Sequence, residues 1–218
     1  MVIWTEFFVD SKEINTNGTL SSTVNLDRIN PIWAKKLQQA SYAVISQGNW
    51  FGRKTYINRK HKPIGCVNCE GENMTNIRVP SAIRMVFKAA FKFINKCKKC
   101  EDLVTVMRTY SMGHFEDGSW LNGGYCNRTQ PLREGDLRKD HEAWEIRRVQ
   151  LEEMERAKRE GNKRIELLDV TKAMMLRADA HPGRHWMVKD TNDCLHWCLP
   201  GPIDMWSELL LEILKKKS

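Results

Sequence analysis

Short apolar, β-branched runs that alternate with stretches of helical spacing constrain this chain more than any other feature of its sequence. Tyr42-Ala43-Val44-Ile45-Ser46, Leu103-Val104-Thr105-Val106-Met107 and Arg164–Val170 have the length and composition of buried strands. Helical periodicity fills the intervals. Pro31–Ala40 is a short helix, and Pro80–Asn95 repeats apolar residues at Ile83, Phe87, Ala90, Phe91 and Ile94 behind the start signals Pro80 and Ser81. Lys139–Arg159 is a long charged helix that Gly161 ends, with a solvated outer face. Thr171–Arg177 is a short helix, and Pro202–Lys215 carries Met205, Trp206, Leu209, Leu210 and Ile213 on one face. Met1–Val9 reads as a further strand. Asp10–Ser22 and Arg53–Arg78 are polar and read as loops. The alternation predicts an α/β fold with a mostly parallel sheet between helices. In such sheets ligands sit beyond the carboxyl ends of strands, so Gln47–Arg53, Ser111–Thr129 and Asp179–Pro200 are where chemistry is expected.

Composition excludes several classes. With 41% hydrophobic residues and 13 glycines in 218 residues, the chain is neither disordered nor collagenous, and no run of membrane-spanning length occurs in it. The charge of +8 suits an anionic partner or plain solubility, and much of it lies in Lys96-Cys97-Lys98-Lys99 and Lys215-Lys216-Lys217, which read as solvated ends. No nucleic-acid partner is expected. Eight tryptophans suit core anchors or sugar-stacking surfaces. The opening Met1–Glu6 has no basic region followed by an apolar one, so it does not read as a signal peptide.

Seven cysteines leave at least one over after pairing. Cys66-x-x-Cys69 and Cys97-x-x-Cys100 allow disulfides or a zinc-ribbon-like set, although the helix between them makes the zinc spacing unusual. No metal site is expected. Asn17, Asn73 and Asn127 open glycosylation sequons. Asp193-x-x-His196 places a carboxylate where it can fix an imidazole tautomer and stabilise the imidazolium, the base half of a Ser-His-Asp device. The same spacing also suits a structural pair. His114 and His181 sit in the loop zones and read as structural histidines. Arg108, at a strand end, suits an anionic group or an ion pair.

Asp193-Cys-Leu-His196-Trp-Cys-Leu-Pro-Gly-Pro-Ile-Asp-Met-Trp206 resembles the closing motif of the plant trichome-birefringence-like proteins, polysaccharide O-acetyltransferases (PC-esterase type) related to the SGNH/GDSL hydrolases. Leu168–Lys172, Arg177–Gly183, Arg108–Glu116, Gly123–Thr129 and Gly65–Cys69 are similar to the family too, so the likeness covers nearly the whole chain. The resemblance implies a three-layer α/β/α SGNH/GDSL-like domain, with residues 1–218 its C-terminal portion, truncated at the N-terminus. It implies a Golgi enzyme that moves acetyl groups onto cell-wall polysaccharide, typically xylan or xyloglucan. No bound cofactor is implied, and the acetyl donor, acetyl-CoA-derived or an acetylated carrier, is a co-substrate. A serine takes the acetyl group first, and a sugar hydroxyl then accepts it. Asp193 orients His196, and His196 activates both hydroxyls. By the same resemblance Cys126 pairs with Cys194, and Cys198 with a cysteine upstream.

The sequence departs from the family at named places. The family serine lies in Gly-Asp-Ser, a tripeptide that does not occur here; the nearest string is Asp117-Gly118-Ser119. The membrane anchor and cysteine-rich region of the family are not seen. Gly48-Asn49-Trp50 stands where the family has Gly-His-Trp, Met112 replaces a proline, and the stretch from His181 to Asp193 is short. Gly48, Asn49, Arg108 and His114 are the candidates for an oxyanion or acceptor cleft. The expectation is a transferase domain inactive on its own. The alternatives are a non-catalytic polysaccharide-binding protein and a zinc-ribbon nucleic-acid-binding module.

Overall fold

The computed structural model describes residues 1–120, 122–161, 163–185 and 191–216. They form two compact units, one of residues 1–107 with 145–167 and one of 108–144 with 168–218.

The first unit holds two sheets. Strands β1 (Val9–Thr16), β2 (Thr19–Ile29), β4 (Thr55–Arg59) and β5 (Lys62–Val67) form one in the order β1-β2-β4-β5. Strands β3 (Tyr42–Ile45), β6 (Val104–Arg108) and β7 (Arg164–Leu168) form the other in the order β3-β6-β7. Parallel pairing, expected from the alternation, occurs between β3 and β6 and between β2 and β4. The pairs β1–β2 and β4–β5 are antiparallel hairpins, and they correct the loop reading over 10–22 and 55–67, whereas 68–78 is a loop as expected. Their strands are polar because only one face is covered. In β2 the buried residues are Ser21, Ser22, Val24 and Leu26. Tight turns close both hairpins, with positive φ at Asn17 and Gly18 in one and at Lys60 and His61 in the other. Pro63 is tolerated because β5 lies at the end of its sheet. Gly65 lets β5 approach the next segment, since a Cβ there would stand 2.5 Å from the Thr75 carbonyl oxygen. The first strand begins at Val9, later than the reading of Met1–Val9.

Helix α1 (Pro31–Leu37) is capped by the Asn30 side chain, which accepts from the Ile32 amide. Helix α2 (Val79–Lys96) buries Ala82, Ile83, Val86, Phe87, Ala90, Phe91 and Ile94, a stripe at helical spacing. Phe87 meets Phe8 edge-on at 5.3 Å, Phe7 meets Phe51 at 4.9 Å, and the Trp33 indole donates to the Phe8 carbonyl at 2.8 Å. β6 is buried on both faces, as a central strand should be, whereas β3 ends its sheet and leaves Tyr42 and Val44 exposed. Helix α3 (Glu142–Glu160) buries Ile146, Val149 and Met154 and leaves Arg148, Glu152 and Glu155 on an exposed charged face. Within this unit its Glu153 is buried and bound by Arg156 at 2.7 Å and by Arg84 at 3.4 Å.

The second unit has little regular structure besides α4 (Thr171–Leu176) and α5 (Pro202–Lys215). Met112, Ala143 and Met175 form one buried cluster in it, with Tyr110, Leu137 and Trp144 against it, and Val170, Met174, Ala178 and Ala180 are buried as well. The Trp206 indole of α5 donates to the Met174 sulfur at 3.1 Å. Only Pro202 of α5 is fully buried; Leu209 and Leu211 are exposed, so the apolar face read from the sequence is only partly covered. Among the described residues no helix is long and apolar enough to cross a membrane.

Candidate active site

Asp193 is fully buried, and each of its oxygens has a separate task. Oδ1 accepts from the main-chain amides of Leu195 at 3.0 Å and His196 at 2.8 Å, which winds the chain into a tight turn. That turn brings the His196 ring back over the carboxylate, and Nδ1 meets Oδ2 at 2.8 Å. Since the carboxylate accepts, the neutral ring carries its proton on Nδ1 and presents Nε2 as the basic nitrogen. The His196 side chain is 59% exposed, so an oriented base stands on a buried anion with its ring reaching solvent.

The loop that carries the pair is fixed from several directions within this unit. Asp193 exchanges two main-chain hydrogen bonds with Gly183, at 2.8 and 3.0 Å. The Cys198 amide donates to Ala180 at 3.0 Å, and the His114 amide donates to the Cys194 carbonyl at 2.8 Å. Gly113 permits that approach, because a Cβ there would lie 2.7 Å from the same carbonyl oxygen. A disulfide joins Cys126 to Cys194, next to the carboxylate.

His181 lies behind the loop. Its Nδ1 stands 2.6 Å from the His196 carbonyl oxygen and its Nε2 stands 2.8 Å from His114 Nδ1. His114 Nε2 is 3.1 Å from the Met175 carbonyl oxygen. Burial lowers both histidines, His114 to about 4. Trp197 stacks on His181 with ring centres 4.1 Å apart. On the solvent side Trp120, 40% exposed, meets the His196 ring edge-on at 5.8 Å.

The residues named for an oxyanion or acceptor cleft are divided between the units. Arg108 and His114 belong with Asp193 and His196 in the second. Arg108 donates to the Ser111 hydroxyl at 2.8 Å and lies over the Trp206 ring at 4.3 Å, and burial pulls its guanidinium down to about 10. Gly48 and Asn49 belong to the first unit, where buried Gly48 opens a tight helical turn over Asn49–Gly52 and Asn49 is exposed. Thr109, which the sequence reading passed over, organises the other side of the second unit. Its hydroxyl accepts from the amides of Val170 and Thr171 at the start of α4 and donates to Asp169.

Cys66–Cys69 and Cys97–Cys100 are disulfides, so their sulfurs offer no thiolate to a metal. Cys198 is the remaining free cysteine. The sequon residues Asn17, Asn73 and Asn127 are all exposed. Among the described residues no cluster of His, Cys, Asp and Glu is arranged to hold a metal.

Residues 1–213 match the family model described as PC-Esterase, a GDSL/SGNH-like acyl-esterase family found in Pmr5 and Cas1p. Xyloglucan O-acetyltransferase 4 of Populus trichocarpa is 45% identical over 222 residues, covering 99% of this chain and 53% of the relative. Xyloglucan O-acetyltransferase 3 of the same species is 43% identical over 223 residues, covering 99% and 56%. Protein trichome birefringence-like 20 of Arabidopsis thaliana is 36% identical over 226 residues, covering 98% and 47%. The chain thus spans about half the length of these relatives.

Proposed function

This chain belongs to the PC-esterase family of GDSL/SGNH-like acyl-esterases, and on that footing we propose that it supplies the orienting carboxylate and the base of a wall-polysaccharide O-acetyltransferase, with xyloglucan as acceptor. The three-layer α/β/α class of SGNH-like domains agrees with its helices and with the parallel pairs β2–β4 and β3–β6. The 2.8 Å contact between His196 Nδ1 and Asp193 Oδ2 carries the mechanistic reading.

In the first half-reaction a serine oxygen attacks the acetyl carbonyl of the donor. His196 Nε2 takes the serine proton and passes it to the leaving group, which gives acetyl-serine. In the second a sugar hydroxyl attacks that ester, its proton moves to Nε2, and the proton returns to the serine as the acetylated sugar leaves. Asp193 stabilises the imidazolium formed in each half without taking the proton itself. The chain contains no Gly-Asp-Ser, so we assign the nucleophile to none of its serines and expect the 218-residue polypeptide alone to be inactive. The donor is acetyl-CoA-derived or an acetylated carrier. Three disulfides fit an oxidising lumen, the Golgi on this reading, with Asn17, Asn73 and Asn127 as glycosylation sites.

A second reading, polysaccharide binding without transfer, draws on the exposed Trp120 beside His196. One experiment separates the two. The 218 residues replace the matching stretch of Populus xyloglucan O-acetyltransferase 3, and acetyl transfer to xyloglucan oligosaccharides is followed by mass spectrometry. The expected outcome is transfer by the chimera, a loss of about 10³-fold or more with His196→Ala, and no acetyl-enzyme on the 218-residue polypeptide by itself. Oligosaccharide binding that His196→Ala leaves unchanged, without transfer, selects the second reading.

A further inference from the structure

Two carbonyl oxygens and two imidazoles stand in a row behind the candidate base. The Met175 carbonyl of α4 is 3.1 Å from His114 Nε2, His114 Nδ1 is 2.8 Å from His181 Nε2, and His181 Nδ1 is 2.6 Å from the His196 carbonyl. Each contact needs one proton between its atoms, and both ends of the row are oxygens that only accept. Two neutral imidazoles bring two protons, whereas the row has three contacts. It closes when the rings together hold a third proton and one positive charge.

We propose that His114 and His181 share one proton beyond those of two neutral rings, and that this proton ties the main chain of His196 to α4, which makes both histidines positioning residues for the base.

The surroundings suit one cation there. Trp197 lies nearly parallel to His181, with ring centres 4.1 Å apart and planes inclined by 33°, so its π face meets the charge. Trp197 also meets the His114 ring edge-on at 5.7 Å. Asp193 and Asp179 face the pair and favour its charge, while His196 and His141 oppose it whenever they are charged. Arg177 holds Asp179 at 2.9 Å and offsets part of that attraction. The thiol of Cys198 faces the same two carboxylates and, raised first by burial, stays neutral.

Burial works against the charge and places proton uptake on the acid side of an exposed histidine. Above that midpoint one contact must open. The distances identify it as the longest, from His114 to Met175, while the shortest keeps His181 on the His196 carbonyl. His196 is therefore held by His181 in both states, and the shared proton adds the connection to α4. The proton count holds whatever reaction His196 serves.

Nitrogen-15 NMR of the histidine-labelled 218-residue protein, taken from about pH 8 to about pH 4, tests this. At the upper end both rings should carry their single proton on Nδ1. On acidification the two should gain one proton between them and move through one shared midpoint. The amide nitrogen of Leu176, whose peptide includes the Met175 carbonyl, should shift in step. In His114→Phe that Leu176 shift should be lost while the His196 resonances persist. An Nε2–H tautomer of either ring at the upper end overturns the proposal. So does uptake of two protons at separate midpoints, no uptake before unfolding, or a Leu176 shift that survives His114→Phe.

Discussion

Asp193 shows how one buried charge is stabilised and used at once. Two amides and one imidazole N–H satisfy its oxygens, which offsets the cost of burying the carboxylate. The two histidines behind it give a pH signature at the same scale. Both are lowered by burial, His114 to about 4, whereas unfolded histidine titrates near 6.5. Between those values the unfolded chain binds more protons than the folded one. The contribution of His114 is therefore full above about pH 6.5 and is lost as the pH falls toward 4, with a slope of at most about 1.4 kcal/mol per pH unit, and His181 acts in the same direction. Urea midpoints measured at successive pH values should show this decline beginning above the carboxylate range. The Asp193–His196 pair was legible in the sequence because a spacing of three residues is local and a tight turn closes it. The pairing of His114 with His181 was not, because it joins residues 67 positions apart that only the folded loops bring together.

Helices and strands differ in how far their sequences disclose them. The stripe of α2 repeats over 18 residues and faces a continuous apolar surface, so periodicity alone located it nearly to the residue. The hairpins of the first unit were read as loops because serine, threonine, asparagine and lysine occupy their uncovered faces. Backbone pairing rather than side-chain burial holds such strands, and a hydropathy pattern does not register it. Helix α4 gives a third case, since its start is set by a residue far away in the chain. The Thr109 hydroxyl receives the amides of Val170 and Thr171 at 2.9 and 3.2 Å, in place of an adjacent cap. Thr109→Val keeps the shape but leaves those buried donors unmet. It should lower unfolding free energy by about 1–3 kcal/mol in a chemical denaturation series.

At the scale of the whole chain, covalent links complement a core that is unevenly spread. The first unit holds most of the regular structure, whereas in the second α4 and α5 are joined by long loops that packed rings such as Trp197 and His181 help to hold. The Cys126–Cys194 bridge, between residues 68 positions apart, constrains the less regular of the two. Chain-entropy arithmetic for a loop of that length gives about 4 kcal/mol, against about 2 kcal/mol for the three-residue separations of Cys66–Cys69 and Cys97–Cys100. The double substitution Cys126→Ser with Cys194→Ser should therefore cost about twice as much as Cys66→Ser with Cys69→Ser, measured by denaturant unfolding without thiols.

That long bridge has a practical side. Cys194 adjoins the carboxylate that steers His196, so reduction by dithiothreitol should remove one of the restraints on the loop that carries the base and leave its hydrogen bonds to hold it. Transfer by the chimera should therefore be measured with the bridge both oxidised and reduced.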